Sequence, residues 1–159
     1  MRLEKKVTME NAKKLRIEAM EEIEKKDVKT KQDEMLKRMY DWWGQWQPDY
    51  EGWLKVADSL YAPQAVINAI GGEQRYCDYR NSMKEQRDRC SMEMGPLLHA
   101  IADEDTVALV YNMYLTPKGM EGAPTFSMMV TEFNHFEEVD GKLMVTRLDL
   151  YTDGGNMKM

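Results

Sequence analysis

The chain has 159 residues, 43% of them hydrophobic and 31% charged, with a formal net charge of −6. That length supports one domain with its own core and is short for two. The basic stretches alternate with acids, which argues against nucleic acid as a partner, and no apolar run reaches the length of a membrane span. The amino-terminal MRLEKKVTMENAKKL has the positive start of a signal peptide without an apolar core, so the expected location is cytoplasmic. Cys77 and Cys90 are too few for a disulfide framework and match no zinc spacing.

Residues 8–26 read as a charged helix with Thr8 as N-cap. Met9, Ala12, Leu15, Ala19 and Ile23 form a thin apolar stripe along it. Such a stripe stabilises an isolated helix poorly, so the helix is expected to pack on the domain or on a second subunit. Thr30 with Asp33 has the form of a capping box. It opens a second helix on which Met35, Leu36, Met39, Tyr40, Trp43 and Trp46 follow helical periodicity. Gln47-Pro48-Asp49 breaks that helix, and Asp49 caps a third carrying Tyr50, Trp53, Leu54, Ala57, Leu60 and Tyr61, which Pro63 ends.

Residues 65–70 are a short apolar run, Gly71-Gly72 a turn and 74–77 a return strand. Residues 78–92 read as a polar helix with Tyr79, Met83, Gln86 and Cys90 along one side. Four antiparallel strands follow at 97–102, 106–115, 125–139 and 142–151. The connection 117–124 contains Gly119 and Gly122 and reads as a mobile loop, and Asp140-Gly141 is the strongest hairpin signal in the chain. The resulting organisation is a helical extension at 1–29, a domain at 30–152 and a frayed tail at 153–159.

A two-residue turn at Asp140-Gly141 pairs Val139 with Lys142. Counting back, Asn134 falls opposite Arg147 and Glu132 opposite Asp149. Val130, Glu132, Asn134 and Phe136 then share a face with Val145, Arg147, Asp149 and Tyr151. On the preceding hairpin a two-residue turn puts His99, Val110 and Asn112 on one face, whereas a three-residue turn puts Tyr111 and Met113 beside His99. The sequence leaves both registers open.

This order of elements resembles the nuclear transport factor 2-like superfamily, in the branch of SnoaL-like polyketide cyclases, scytalone dehydratase, lindane dehydrochlorinase and ketosteroid isomerase. The resemblance rests on MLKRMYDWWGQW, SLYAPQAVINAIGG, GPLLHAIADEDTVALVYNMYL and VDGKLMVTRLDLY. It implies an α+β fold in which a cone-shaped, curved antiparallel sheet wraps around N-terminal helices, here with an extra helix in front. It also implies a homodimer through the outer sheet face. By the same likeness His99 matches the general-base histidine of the dehydratases. Gln45 stands near the position of the aspartate that orients it, with Asp41 one turn earlier. Tyr40 matches a tyrosine of the isomerase oxyanion hole, Asn134 stands near its acid, and Arg147 resembles an interior arginine. No carboxylate stands near Asn68 or Ala69, where the isomerases carry their base, which argues against steroid-isomerase chemistry.

The expected function is a lyase or isomerase, dehydratase- or cyclase-like, acting without a cofactor on a small hydrophobic or aromatic oxygenated molecule. His99, Tyr40 and Asp41 are its catalytic candidates; Trp43, Tyr61, Asn112, Asn134, Arg147 and Asp149 are candidates for substrate contacts. Each has a plainer reading. His99 among Leu97, Leu98, Ala100 and Ile101 suits a core histidine, the aromatics suit a core, and Arg147 with Asp149 suits a surface ion pair. His135 is out of phase with Asn134, and two histidines of opposed phase make no metal site. The 15 methionines suit core filling or an adaptable pocket. A non-catalytic ligand-binding or dimeric interaction module of the same fold is the alternative.

Overall fold

The computed structural model describes residues 8–25, 27–69 and 72–153. Among them four helices and six strands follow in the order α1 (Met9–Ile23), α2 (Lys31–Gln45), α3 (Tyr50–Leu60), β1 (Tyr61–Ala69), β2 (Gly72–Arg75), α4 (Tyr76–Arg89), β3 (Cys90–Asp103), β4 (Thr106–Pro117), β5 (Phe126–Val139) and β6 (Lys142–Thr152). Ile70 and Gly71, part of the expected strand and turn, and the tail after Asp153 lie outside the described residues.

The helices start where local chemistry dictates. Thr8 and Thr30 cap α1 and α2 through reciprocal capping boxes with Asn11 and Asp33, and Asp49 accepts from the Gly52 N–H at the start of α3. The strands form one curved, unclosed sheet in the order β2-β1-β6-β5-β4-β3. β3 to β6 make the expected antiparallel meander, but β1 runs parallel to β6, so the sheet is mixed rather than wholly antiparallel. The β5–β6 turn holds Asp140 at φ 51° and Gly141 at φ 79°, the left-handed pair that a two-residue hairpin requires.

The expected β5–β6 register holds from Val139–Lys142 to Phe136–Val145 and then slips. His135 pairs with Arg147, and Glu132 with Leu150, across an irregularity that leaves Thr146 extra in β6. A bulge of one residue turns all later side chains to the opposite face. It sends Leu148 and Leu150 inward, and Arg147, Asp149 and Tyr151 to the outer face, correcting the face assigned to these three from sequence.

Along β5, Val130, Glu132, Asn134 and Phe136 all point inward and are buried. They meet a core of Met35, Met39, Trp43, Trp46, Trp53 and Leu60 from the helices. Burying each such large apolar side chain contributes about 1.5–3 kcal/mol.

The extension packs on its own domain. Among its described residues Ala12 and Arg16 are buried, and Arg16 is 1% exposed. Its Nη1 forms an ion pair with Glu93 and donates to the Met94 carbonyl at 2.9 Å, Nη2 donates to the Trp46 carbonyl at 3.1 Å, and the guanidinium lies 5.3 Å from the Trp46 ring centre. Gly44 permits the approach of α1 to α2: a Cβ there would lie 1.8 Å from the Met20 Sδ.

Truncating one partner of a buried ion pair strands the other. Arg16→Met is therefore expected to destabilise the protein by roughly 3–5 kcal/mol in urea unfolding. Adding Glu93→Gln is expected to restore most of that loss; a double variant no more stable than the single one would contradict this account.

Candidate active site

The concave face of the sheet and the helices over it enclose a cavity of about 370 Å³. Trp42 of α2, Trp46 at its C-cap, Trp53 of α3, and Tyr79, Met83, Gln86 and Arg87 of α4 form one wall. Met92 and Met94 of β3, Tyr111 and Met113 of β4, Met128, Val130 and Glu132 of β5 and Leu150 of β6 form the other. Inward-facing strand positions alternate, which is why β4 contributes Tyr111 and Met113 but not Asn112. The lining is mostly aromatic rings and thioethers, so the adaptable-pocket reading of the methionines applies to at least Met83, Met92, Met94, Met113 and Met128.

Two carboxyl groups line this mostly apolar surface, the exposed Glu85 and the buried Glu132. Glu132 is 2% exposed. The Tyr111 hydroxyl donates to its Oε1 at 2.7 Å and the Asn134 amide to its Oε2 at 3.5 Å. Burial disfavours its charged form and raises its pKa from 4.5 to about 7, against the two hydrogen bonds, which act downward. Tyr61, Tyr79 and Tyr111 are all pushed upward, first by burial and next by the nearby Glu132 charge. Glu132 therefore sits among three neutral phenols and is poised to exchange a proton near neutral pH. The Nε1 of Trp42, another lining residue, is buried without a partner among the described residues, as is the Asn134 Oδ1.

The residues named from sequence divide. Asn134 and Tyr61 lie beside Glu132, Asn134 by its hydrogen bond and Tyr61 by its charge interaction. Trp43 is a core residue whose Nε1 donates to the Gly95 carbonyl at 2.9 Å. Tyr40 stacks edge-on to Trp43 and borders a separate, smaller cavity with Asp33, Leu36 and Ala100. Asp41 pairs with Lys37 along α2 at 3.3 Å.

His99 is exposed and lines neither cavity. The two-residue turn is the one realised, pairing His99 with Val110, and that phase turns His99 and Asn112 away from the cavity. The expectation that His99 works inside a pocket is corrected on that ground.

Arg147 and Asp149 lie outside the cavity for the reason given by the β6 bulge. There Asp149 accepts from Arg147 at 3.0 and 3.2 Å and from Asn68 at 3.2 Å, and pairs with the His135 Nε2 at 3.1 Å. Burial alone would raise the Asp149 pKa, but these hydrogen bonds outweigh it and hold it below the usual range. Among the described residues no cluster of His, Cys, Asp and Glu is arranged to hold a metal ion, and no helix is long and apolar enough to cross a membrane.

Sequence reasoning passed over Glu132, Tyr111 and Arg87. The signal for Glu132 was available: it shares its phase with Val130, Asn134 and Phe136, so an acid occupied a position on a strand face that is otherwise largely apolar.

No family model and no curated protein matches the sequence. Solved structures do match. AclR, a candidate hydroxylase from Streptomyces galilaeus, is 20% identical over 76% of this chain and 74% of its own, with a TM-score of 0.54. A candidate polyketide cyclase from Acidithiobacillus ferrooxidans is 18% identical over 80% and 92%, with a TM-score of 0.52. TsrD from Streptomyces laurentii is 13% identical over 80% and 92%, with a TM-score of 0.53. At such identities the likeness is one of fold alone: helices packed in the concave face of a curved, unclosed sheet.

The raised pKa has a stability signature. Between about 4.5 and about 7 the unfolded chain gives up the Glu132 proton while the folded protein keeps it. The contribution of this group therefore falls as pH rises through that window and is level above it. Glu132→Gln removes the effect. It is expected to match the wild type in stability at pH 4.5 and to exceed it at pH 8 by up to ~3 kcal/mol, measured by urea unfolding at both pH values. A variant less stable than the wild type at pH 8 contradicts the assignment.

Proposed function

We propose that the protein is an acid/base catalyst of the cyclase or dehydratase kind, acting on a small hydrophobic or aromatic oxygenated molecule held in the Glu132 cavity. The observation that carries this reading is a buried carboxyl group with a pKa of about 7 set in a mostly apolar, aromatic-lined cavity. General bases work best when their pKa lies near the working pH, and burial is the usual means of bringing a glutamate there.

In the proposed reaction Glu132 removes a proton from a carbon next to a substrate carbonyl. The C–H electron pair passes to the carbonyl oxygen as an enolate. The Trp42 N–H, buried and unpartnered among the described residues, is the donor we assign to that oxygen, reached by a small turn of the indole on ligand binding. Tyr111 keeps the Glu132 carboxylate from being wholly unsolvated while it is charged. The enolate then attacks a second carbonyl, closing a ring, or expels a β-hydroxyl group, which leaves as water with the proton that Glu132 returns. Both outcomes use one group as base and then acid. The chemistry is that expected from sequence with its base transferred from His99 to Glu132.

The fold neighbours described as candidate cyclases and hydroxylases lend this reading support at the level of reaction class only. A binding module with the same cavity is the alternative, favoured by the hydrogen bonds that already occupy Glu132.

The outer face supports a second proposal, that two copies pair through it. Ile101 is 64% exposed, and Met129, Phe133 and Tyr151 are also exposed, with Phe133 and Tyr151 in ring contact. An apolar group of this kind on a sheet calls for a cover.

Two measurements follow. Incubated with a panel of aromatic β-diketones in heavy water, the wild type is expected to exchange the acidic C–H, at a rate that climbs through pH 7. Glu132→Gln should lose at least ~100-fold of that rate, while His99→Ala keeps it. Full activity in the glutamine variant would sink the acid/base reading, and binding without exchange would favour the binding module. In sedimentation, the wild type is expected to run as a dimer and Ile101→Glu with Phe133→Glu as a monomer; a monomeric wild type refutes the pairing.

A further inference from the structure

Arg87 sits in the wall of the cavity as a buried cation with no anion of its own. Its residue is 4% exposed. The guanidinium lies 4.8 Å from the Trp53 ring centre and 5.6 Å from that of Trp46, two further lining residues. Its Nε donates to the Pro48 carbonyl at 3.2 Å and its Nη1 to the Met83 carbonyl at 3.4 Å. Nη2 makes no hydrogen bond within the described residues, and no carboxylate among them comes within ion-pair distance of the group. The contrast with Arg16 is direct: that guanidinium is equally buried, touches the same Trp46 ring and has Glu93 as its partner.

A charge taken out of water without a counter-charge is costly. Burial lowers the Arg87 pKa to about 10, with Tyr79 and Asp49 acting in the other direction at longer range. That still leaves it charged at neutral pH. Flat guanidinium groups stacked on indole keep their in-plane N–H donors free for a planar anion. The exposed Arg89 and Glu85 also line this cavity and are opposite in charge, which leaves Arg87 as the buried cation of the lining.

We infer that the ligand of this cavity carries an anionic group, a carboxylate or a similar planar oxyanion attached to its aromatic or hydrophobic body, and that Arg87 receives it through its free Nη2 donor. This inference rests on the cavity being the ligand site proposed above, and it narrows the substrate class to organic acids. The anion supplies the counter-charge that the fold withholds, so binding relieves a cost already built into the empty protein. It also fixes which end of the ligand lies against the Trp46–Trp53 wall, leaving the remainder for the Glu132 side of the cavity.

The test compares 2-naphthoate with the neutral, near-isosteric 2-naphthamide at pH 6, where Glu132 is mostly protonated and adds little repulsion. Binding is followed by quenching of tryptophan fluorescence and by calorimetry. The wild type is expected to bind the naphthoate about tenfold or more tightly than the amide, the scale of one charge-assisted hydrogen bond. Arg87→Gln should abolish that preference while changing the affinity for the amide less than threefold, and Arg87→Lys should keep part of it.

Equal affinity of the wild type for both probes overturns the anion proposal and leaves the cavity as a ligand site, as does a preference that survives intact in Arg87→Gln. Binding of neither probe overturns the proposal together with the cavity reading. The wild-type ratio decides the matter even if a variant fails to fold. The exchange activity of Glu132 is read separately and does not depend on this ratio.

Discussion

The functional account depends on one carboxyl group kept from water. A strand that closes the inside of a cone must present apolar side chains inward, and β5 does so with Val130 and Phe136. Glu132 and Asn134 break that rule on the same face. Among the described residues no cation comes within ion-pair distance of Glu132, whose partners are a phenol and an amide, each neutral. The compromise is a group that holds its proton until about pH 7. A structural glutamate would be better served by an ion pair, as Glu93 is. The absence of one at Glu132 leaves burial to raise its pKa, which is the basis of the acid/base role proposed for it.

The rest of the molecule is arranged around that compromise. Over the concave face, α2 with its C-cap and α3 bring down Trp42, Trp46 and Trp53, and α4 adds Tyr79 and Arg87. Trp46 is the link between distant parts of the chain. Its carbonyl and ring are held by Arg16 from the N-terminal extension, and its ring also contacts Arg87 from α4. The extension is thus part of the cavity's support. Of the two guanidiniums against this indole, Arg16 has a carboxylate partner and Arg87 has none among the described residues.

Much of the architecture was legible because it is encoded locally. Thr30 with Asp33, Asp49, and the Asp140-Gly141 turn each satisfy backbone groups within a few residues, and the structure uses all of them. What local chemistry does not encode was read less well. Residues 90–92 read as the end of the polar helix begun at 78, because the side carrying Tyr79, Met83 and Gln86 continues to Cys90. They form the start of β3 instead, since Glu93 finds Arg16 there, 77 residues away. The extra residue at Thr146 leaves no mark in the sequence, yet it decides that Arg147 and Asp149 face outward. His99 was read through its resemblance to a catalytic position, whereas its turn geometry alone allowed the exposed placement found. Glu132 was visible as an acid in an inward phase and was passed over because no motif marked it.

The most direct test of the account is the titration of the Glu132 carboxyl itself, by carbon-13 NMR of the protein labelled at the glutamate side-chain carbonyl, with Glu132→Gln identifying the resonance. The account predicts a single carboxyl titrating near pH 7, far above the remaining glutamates. A Glu132 resonance that titrates in the ordinary range around 4.5 would mean that water reaches the group, and the acid/base reading of the cavity would be contradicted.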